Sequence, residues 1–215
     1  LVGSEMCIRD SFLTVASALI LHGLLVYPTL LRILAGVNPL TFLRKMREPM
    51  LVAFSTSSSG ATLPVTLRTV EHRIGVNNNV ASFAVPLGAT INMDGTAIMQ
   101  GVATVFIAQF FGYQLGVDAL LMVILTATLA SIGTAAVPGV GLITLTLVLG
   151  QVGLPIEGIG LIIGVDRLLD MLRTVVNVTG DGTVATIVAN SEGQLDKETL
   201  RDPNAGAVAQ VPSGT

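Results

Sequence analysis

The chain has 215 residues, of which 51% are hydrophobic and 12% charged, and its mean hydropathy is +0.77. This composition is typical of a membrane protein. The net charge of −3, without a basic cluster interleaved with aromatic residues, argues against a nucleic-acid partner. A single cysteine, Cys7, excludes both a disulfide and a thiolate metal cluster within these residues.

The start of the chain has two parts of different character. Residues 1–11 lack the charged start and apolar run of a signal peptide and resemble translated sequencing-adapter sequence, so we expect them to be non-native. Residues 12–36 are nearly all apolar, which predicts a transmembrane helix across a ~30 Å hydrocarbon core. His22 lies inside this stretch, and no second His or Cys stands at ligand spacing. We therefore expect a satisfied interior histidine rather than a metal ligand.

The next segment, residues 48–72, has two apolar arms around a serine-rich centre. The loop before it carries three basic residues: Arg44, Lys45 and Arg47. Arg68 and Arg73 lie at the other end, and because basic loops mark the cytoplasmic side, both ends belong to one side. Each arm is too short to span the bilayer. We predict a re-entrant hairpin whose tip, residues 55–60, lies at membrane depth under protein cover; a surface linker is the alternative.

Residues 78–112 predict a broken transmembrane helix. They are apolar and too long for one plain helix, and the sequence GATINMDGTA interrupts them. Asn92, Asp94 and Thr96 supply hard oxygen atoms beside glycines, and an unwound backbone would free carbonyl groups. Such ligands suit an alkali cation. The alternative is a structural kink with a protonated Asp94.

Residues 119–154 repeat the hairpin pattern from the opposite side. Two apolar arms of about a dozen residues flank the sequence SIGTAAVPGVG and are again too short to span the bilayer. We predict a second re-entrant hairpin. At the other end of the chain, residues 190–215 become polar, and we expect a disordered cytoplasmic tail there.

The last predicted transmembrane helix, residues 159–189, is apolar except for one polar stripe. Six side chains fall within an arc of about 100° on this helix: Asp166, Asp170, Arg173, Thr174, Asn177 and Asp181. A solvated helix face is usually crowded with Lys and Glu, and this stripe contains neither. Ionisable groups on a membrane helix face a cavity or a partner, so the stripe predicts a functional site.

The order of these parts predicts the fold class. A hairpin with a serine tip precedes a helix bearing NMDGT, and a second hairpin with a Ser-Gly-Thr tip precedes a helix bearing NVTGDGT. The two units enter from opposite faces, which is the inverted repeat of secondary transporters. We therefore expect an all-α membrane protein in which transmembrane helices and two oppositely oriented re-entrant hairpins converge at the midplane.

Four motifs resemble one family of such transporters. SSSGATLP, NMDGT, SIGTAAVPGVG and DMLRTVVNVTGD closely resemble the dicarboxylate/amino acid:cation symporter family, the glutamate and aspartate transporters, in order and spacing over residues 12 to about 193. The resemblance implies sodium-coupled import of an acidic amino acid in the cell (inner) membrane, with no enzyme activity and no cofactor. It further implies that residues 12–189 form a transport domain moving like an elevator, in a homotrimer whose scaffold lies outside these residues.

The resemblance also implies the substrate contacts. Arg173 would pair with the side-chain carboxylate of the substrate, and Asp170 with its amino group. The other implied contacts are Ser57, Ser58, Thr96, Val137, Gly141, Thr174 and Asn177. A planar guanidinium clamps a carboxylate through two hydrogen bonds, and a carboxylate complements an ammonium, so this pair suits a solute that carries both groups.

The cation ligands are likewise implied by the resemblance. One sodium would bind Asp181 and the carbonyls of Gly88, Asn92 and Asn177. A second would bind the carbonyls of Thr90, Ser131, Ile132 and Thr134. A third would use Asn92 and Asp94. Asp166 is left without a role.

Three alternatives stay open. A proton-coupled or C4-dicarboxylate symporter would keep the same family; Gln100 stands where some relatives have a glutamate implicated in proton co-transport. An ion channel can also be built from re-entrant hairpins, although no sequence such as TVGYG is present. A membrane-embedded hydrolase would need a base near the serines, and neither His22 nor His72 is placed for that.

Overall fold

A computed structural model of the chain describes residues 2–206, with side chains from residue 8 onward. Within this range the chain is helical and contains no strand, which confirms the predicted all-α class. Val76 and Leu195 form an isolated antiparallel bridge. The helices are α1 (Val2–Leu21), α2 (Tyr27–Leu30), α3 (Pro39–Lys45), α4 (Arg47–Thr56), α5 (Ser59–Thr69), α6 (Asn78–Ile91), α7 (Asp94–Phe110), α8 (Val117–Ser131), α9 (Val140–Gln151), α10 (Ile163–Ser191) and α11 (Lys197–Arg201).

The first helix is longer than predicted. Two π-helical turns, His22–Val26 and Leu31–Ala35, join α1 and α2 into one helical stretch that ends at the left-handed Gly36. Within the described residues, Ile8–Ala35 is the one helix long and apolar enough to cross a membrane by length and composition. The stretch begins at Val2 instead of residue 12, since no proline interrupts residues 2–11.

The two predicted hairpins are helix–turn–helix units. In the first, α4 ends at Thr56, Ser57 takes a left-handed conformation (φ 52°), and Ser58 caps α5 by accepting a hydrogen bond from the Ala61 amide (3.1 Å). In the second, α8 and α9 are joined by residues 132–139, where Pro138 and the left-handed Gly133 and Gly139 prevent a continuous helix.

The predicted interruption of the third segment is a short break between two helices. α6 ends at Ile91 and α7 begins at Asp94, so Asn92 and Met93 carry non-helical backbone. The last long helix, α10, starts at Ile163, four residues after the predicted start. Ile156–Leu161 forms a 3₁₀ helix instead, because Pro155 and two glycines disfavour an earlier α-helical start.

Helix α10 lies between the two hydrophobic clusters of the interior. Leu169 and Val176 pack with residues of α1, α7, α8 and α9. Val178 and Ala185 pack with residues of α3, α4 and α6. Large apolar side chains cover much of the outer surface of α1 and α8, as on helices that contact lipid or further protein. The polar stripe of α10 therefore lies where both halves of the fold meet.

The prediction that the polar tail is disordered is wrong for residues 190–206, the part that the structure describes. Residues 194–202 fold back on the α5–α6 turn, Asp196 caps α11, and Leu200 is buried in the first cluster. The tail is polar on average, but two leucines and one capping aspartate are enough to dock it. Residues 207–215 lie outside the described part of the chain.

Candidate functional site

A small cavity lies where α10, the α6–α7 break and the two hairpin tips meet. Its volume is about 20 Å³, room for about one water molecule. Its lining includes Ser57, Thr96, Val137, Gly141, Asp170, Arg173, Thr174 and Asn177. Eight of the nine predicted substrate contacts therefore border one space. Ser58, the ninth, lies at the tip beside it and its neighbour Ser59 takes part in the lining.

Arg173 and Asp170 form the polar centre of this cavity. The Arg173 side chain is 2% exposed, and its Nε donates a hydrogen bond to Asp170 Oδ1 (2.9 Å). The other oxygen, Oδ2, accepts a hydrogen bond from the Gly139 amide in the second hairpin tip (2.8 Å). Asp170 thus connects the helix stripe with the tip that covers it.

Asp166, which has no predicted role, is the second carboxylate beside Arg173. Its Oδ1 lies 3.3 Å from Arg173 Nη1, and its side chain is 8% exposed. The two carboxylates and one guanidinium have a formal charge sum of −1. Among the described residues, Arg173 Nη2 has no acceptor, and Nη1 has only this ion-pair contact with Asp166, which lacks hydrogen-bond geometry. The outer edge of the guanidinium is therefore available to an anionic ligand.

Close backbone packing fixes the α6–α7 break against α10. A Cβ atom on Gly95 would lie 2.6 Å from the Arg173 carbonyl oxygen, so only glycine fits there. Asn177 Oδ1 accepts a hydrogen bond from the Gly95 amide (2.8 Å), and its Nδ2 donates to Thr96 Oγ1 (3.4 Å). Asn177, one helical turn after Arg173 on α10, is thereby held against Gly95 and Thr96 of α7.

The two hairpin tips touch each other over the cavity. Ser58 Oγ donates a hydrogen bond to the Ala136 carbonyl (2.6 Å), and the Gly60 amide donates to the same oxygen (3.1 Å). Ser57 Oγ is buried and has no partner among the described residues. With the tips in contact, the cavity has room for about one water molecule and for no larger solute.

The second tip approaches the guanidinium through backbone. A Cβ atom on Gly141 would lie 2.7 Å from Arg173 Nη1, whereas the Val137 side chain is 55% exposed. Gln100 on α7 holds α9, the arm that follows this tip, because its Nε2 donates a hydrogen bond to Thr144 Oγ1 (2.6 Å). Any Val137 contribution toward the cavity would come from its main chain.

Most predicted cation ligands lie on the other side of the α6–α7 break. A groove of about 580 Å³ is lined by Gly88, Asn92, Asp94, Ser131 and Ile132, together with His22. The Thr90 carbonyl accepts a hydrogen bond from the Gly133 amide (2.9 Å), which brings α6 and the second tip together. The Ser131 and Thr134 hydroxyls donate hydrogen bonds to carbonyls of α8, and the Ser131 carbonyl accepts one from the Thr134 amide (3.2 Å).

Asp181 is buried between α10 and the break. Asn92 Nδ2 donates a hydrogen bond to its Oδ1 (3.2 Å), and a Cβ atom on Gly88 would lie 2.7 Å from the same oxygen. Asp94 points elsewhere. Its Oδ2 lies 3.2 Å from His22 Nε2 and accepts a hydrogen bond from the Tyr27 hydroxyl (3.0 Å).

The structure adds partners that the sequence did not predict. His22 is a partnered interior histidine, as expected, but its partner Asp94 is 72 residues away. Tyr27 had no predicted role; its hydroxyl on an apolar helix was the available signal. The Gly139 amide and the Ala136 carbonyl had no signal at all, because every residue carries these groups. Among the described residues, no three His, Cys, Asp or Glu side chains form a group that could hold a metal.

The family model of the sodium:dicarboxylate symporter family matches residues 8–191. Excitatory amino acid transporter 3 of Mus musculus is 49% identical over 198 residues, which cover 92% of this chain and 37% of the relative. An excitatory amino acid transporter of Caenorhabditis elegans is 47% identical over 85% of this chain and 37% of the relative. Excitatory amino acid transporter 5 of Mus musculus is 45% identical over 82% of this chain and 32% of the relative. The chain thus spans about a third of the length of these relatives.

Proposed function

The chain belongs to the sodium:dicarboxylate symporter family, and from this we propose that the protein containing it imports an acidic amino acid, aspartate or glutamate, together with sodium. The family and the matched relatives are transporters rather than enzymes. The names of those relatives supply the class of solute. The site chemistry supplies the reason why this chain would select it.

One observation carries the proposal: a buried Arg173 beside Asp170, in a cavity covered by two tips. A buried guanidinium whose Nη2 has no acceptor and whose Nη1 has only the Asp166 contact favours an anion, and a carboxylate next to it favours a cation. An acidic amino acid has both charges three to four bonds apart. A plain C4-dicarboxylate has no ammonium for Asp170, and a neutral amino acid leaves the guanidinium edge empty.

The roles that we propose for the cavity residues are those implied by the resemblance to the family. Arg173 binds the side-chain carboxylate of the solute and Asp170 its ammonium. Thr96, Thr174 and Asn177 offer further hydrogen bonds from α7 and α10. The α-carboxylate is held between Ser57, Ser58 and the backbone around Val137 and Gly141.

Sodium is the second solute in this proposal. Asp181 with the carbonyls of Gly88, Asn92 and Asn177 forms one site, and the carbonyls of Thr90, Ser131, Ile132 and Thr134 form another. Asn92 and Asp94 contribute to a third. Carboxylate and carbonyl oxygens are the ligands that hard cations prefer. The contact between the Thr90 carbonyl and the Gly133 amide supports the second site, because it brings both segments of that ligand set together.

The transport cycle that we propose starts from the arrangement in which the two tips are in contact. The α8–α9 tip separates from Ser58, the solute and sodium enter, and the tip closes again over both. The loaded domain then moves across the membrane as an elevator, with α4–α5 and α8–α9 as re-entrant hairpins of opposite orientation. In the cell (inner) membrane, a scaffold outside this chain would hold three such domains in a homotrimer.

The test is uptake by the intact protein reconstituted in lipid vesicles. Labelled aspartate should accumulate only with an inward sodium gradient, and its uptake rate should saturate as the aspartate concentration rises. Unlabelled aspartate should compete with this uptake far better than succinate. Uptake indifferent to the gradient contradicts sodium coupling. Equal competition by succinate assigns the site to C4-dicarboxylates, and flux that does not saturate assigns it to a channel.

A further inference from the structure

Lys45, at the end of α3, is buried, does not line the cavity, and has a fully hydrogen-bonded ammonium. The residue is 4% exposed. Its Nζ donates hydrogen bonds to three backbone carbonyls, those of Arg73 (2.6 Å), Thr199 (2.7 Å) and Asp202 (2.8 Å). An ammonium has three N–H donors, so every one of them has an acceptor in the protein.

The three acceptors belong to helix ends. The Arg73 carbonyl lies in the π-helical turn Val70–Ile74 that ends α5, and the carbonyls of Thr199 and Asp202 lie at the end of α11. The last carbonyls of a helix have no partner within it and carry partial negative charge. One lysine therefore caps two helix ends and joins α3 to both.

Backbone contacts hold the tail segment in the same place. The Asp196 amide donates a hydrogen bond to the Gly75 carbonyl (2.8 Å), and the Asn77 amide donates to the Gln194 carbonyl (3.0 Å). At the left-handed Gly75 (φ +88°), a Cβ atom would lie 2.5 Å from the Asp196 carbonyl oxygen. Only glycine allows the tail to pass this closely.

These contacts lie at the base of the first hairpin. Lys45 comes just before α4, and Arg73 follows α5, so the bond between them closes the two open ends of the α4–α5 unit. Arg73 Nη1 also lies 3.6 Å from Glu48 Oε2 on α4. The tail occupies the space between these ends and takes two of the three Lys45 hydrogen bonds.

We propose that residues 194–202 form a strap which Lys45 fastens across the base of the first hairpin, so that release of the strap loosens this hairpin. The three carbonyls converge on one ammonium, so release of the strap leaves Lys45 Nζ with only the Arg73 carbonyl of its three acceptors. A ligand or modification that withdraws the strap thereby acts on the hairpin that carries Ser57 and Ser58. This device does not depend on which solute the protein carries.

The test is hydrogen–deuterium exchange of the intact protein in three forms: wild type, Lys45→Met and Arg44→Met. Arg44→Met is the matched control, because Arg44 is the exposed neighbour on the same helix and the charge change is the same. In Lys45→Met, we expect exchange at least ten times faster in residues 194–202 and 70–77, with a smaller increase along α5. Exchange in α8 should equal that of the wild type.

A second variant keeps the proposal testable if Lys45→Met does not fold. A protein truncated after Gly193 retains Lys45 and lacks the strap, and it should show the same faster exchange in residues 70–77 and α5. The proposal is contradicted if the hairpin base of the truncated protein exchanges at the wild-type rate. The same result in a Lys45→Met protein whose strap has opened also contradicts it.

Discussion

At the scale of single residues, Arg173 is held by two carboxylates of its own helix that differ in what else they touch. Asp170 bonds both Arg173 Nε and the Gly139 amide, whereas Asp166 contacts only Nη1 at 3.3 Å among the described residues. An incoming carboxylate would use the Nη edge, which is the edge that Asp166 approaches. The two aspartates should therefore have opposite effects on solute affinity.

Asp170→Asn should weaken binding of aspartate. The substitution removes the partner proposed for the solute ammonium, and loss of one member of a buried charge pair costs about 2–5 kcal/mol, at least roughly thirtyfold in affinity. Succinate, which has no ammonium, should lose much less. Competition against labelled aspartate in vesicles measures both. Equal losses for the two solutes would contradict an ammonium partner role.

Asp166→Asn should tighten aspartate binding, by about tenfold. The change removes a negative charge beside the proposed anion site. It also leaves Arg173 with one counterion fewer when no solute is bound, and both effects favour the bound state. Isothermal titration of the purified protein at fixed sodium gives the dissociation constant. Asp118→Asn, on the exposed start of α8, is the control and should have no effect. Weaker binding in Asp166→Asn would show that Asp166 supports the guanidinium more than it competes.

At the scale of elements, the site depends on how closely the α6–α7 break approaches α10. Gly95 packs on the Arg173 backbone, and Gly88 packs on Asp181. Two glycines one helical turn or less from the break thus let two broken segments share one polar helix. The same approach places Asn177 between the Gly95 amide and Thr96.

Gly95→Ala should destabilise the protein by about 1–3 kcal/mol, because the added methyl group overlaps the Arg173 backbone. Gly101→Ala on the same helix has open space around it and should be neutral or slightly stabilising. Thermal unfolding followed by intrinsic tyrosine fluorescence or light scattering compares the two variants. A Gly95→Ala midpoint equal to that of Gly101→Ala would mean that the break moves away from α10 at no cost.

The short helix α11 should depend on pH through its cap. Hydrogen bonds from the Thr199 hydroxyl and from the Thr199 and Glu198 amides lower the pKa of Asp196 below its ordinary value of 3.8. Since the pKa is lowered on folding, the cap contributes stability above the ordinary value and loses it as the pH falls through the lowered one. Amide exchange in residues 197–201, corrected for intrinsic rates, should rise in that acidic range. Asp196→Asn retains a capping oxygen and should remove this pH dependence.

The sequence allowed some of these elements to be predicted, and the reason is local. Helical periodicity alone places Asp166, Asp170 and Arg173 on one side of α10, and Gly-rich breakers alone mark the break and the tips. Their partners were not predictable in the same way. The Ser58–Ala136 and Lys45–Thr199 hydrogen bonds join positions 78 and 154 residues apart through backbone carbonyls, which have no signature in a sequence. The docked tail was missed for the same reason.

At the scale of the whole molecule, the small cavity and the groove both border the α6–α7 break. Asp170 and Arg173 line the cavity, and Asp94 lines the groove. Two hydrogen bonds join the break to α10 between them: Asn92 donates to Asp181, and the Gly95 amide donates to Asn177. A cation bound at Asp181 would order the break that positions Asn177 and Thr96 for the solute. This shared element is the physical reason to expect coupling between sodium and solute.

The central claim of coupling is tested most directly by the dissociation constant of aspartate at two sodium concentrations, measured by isothermal titration on the intact protein with choline replacing sodium. While the sodium sites are far from saturated, a tenfold rise in sodium should lower this constant by about tenfold for each coupled ion. Coupling is reciprocal, so added aspartate should also tighten sodium binding. A dissociation constant that does not change between the two sodium concentrations would contradict the account.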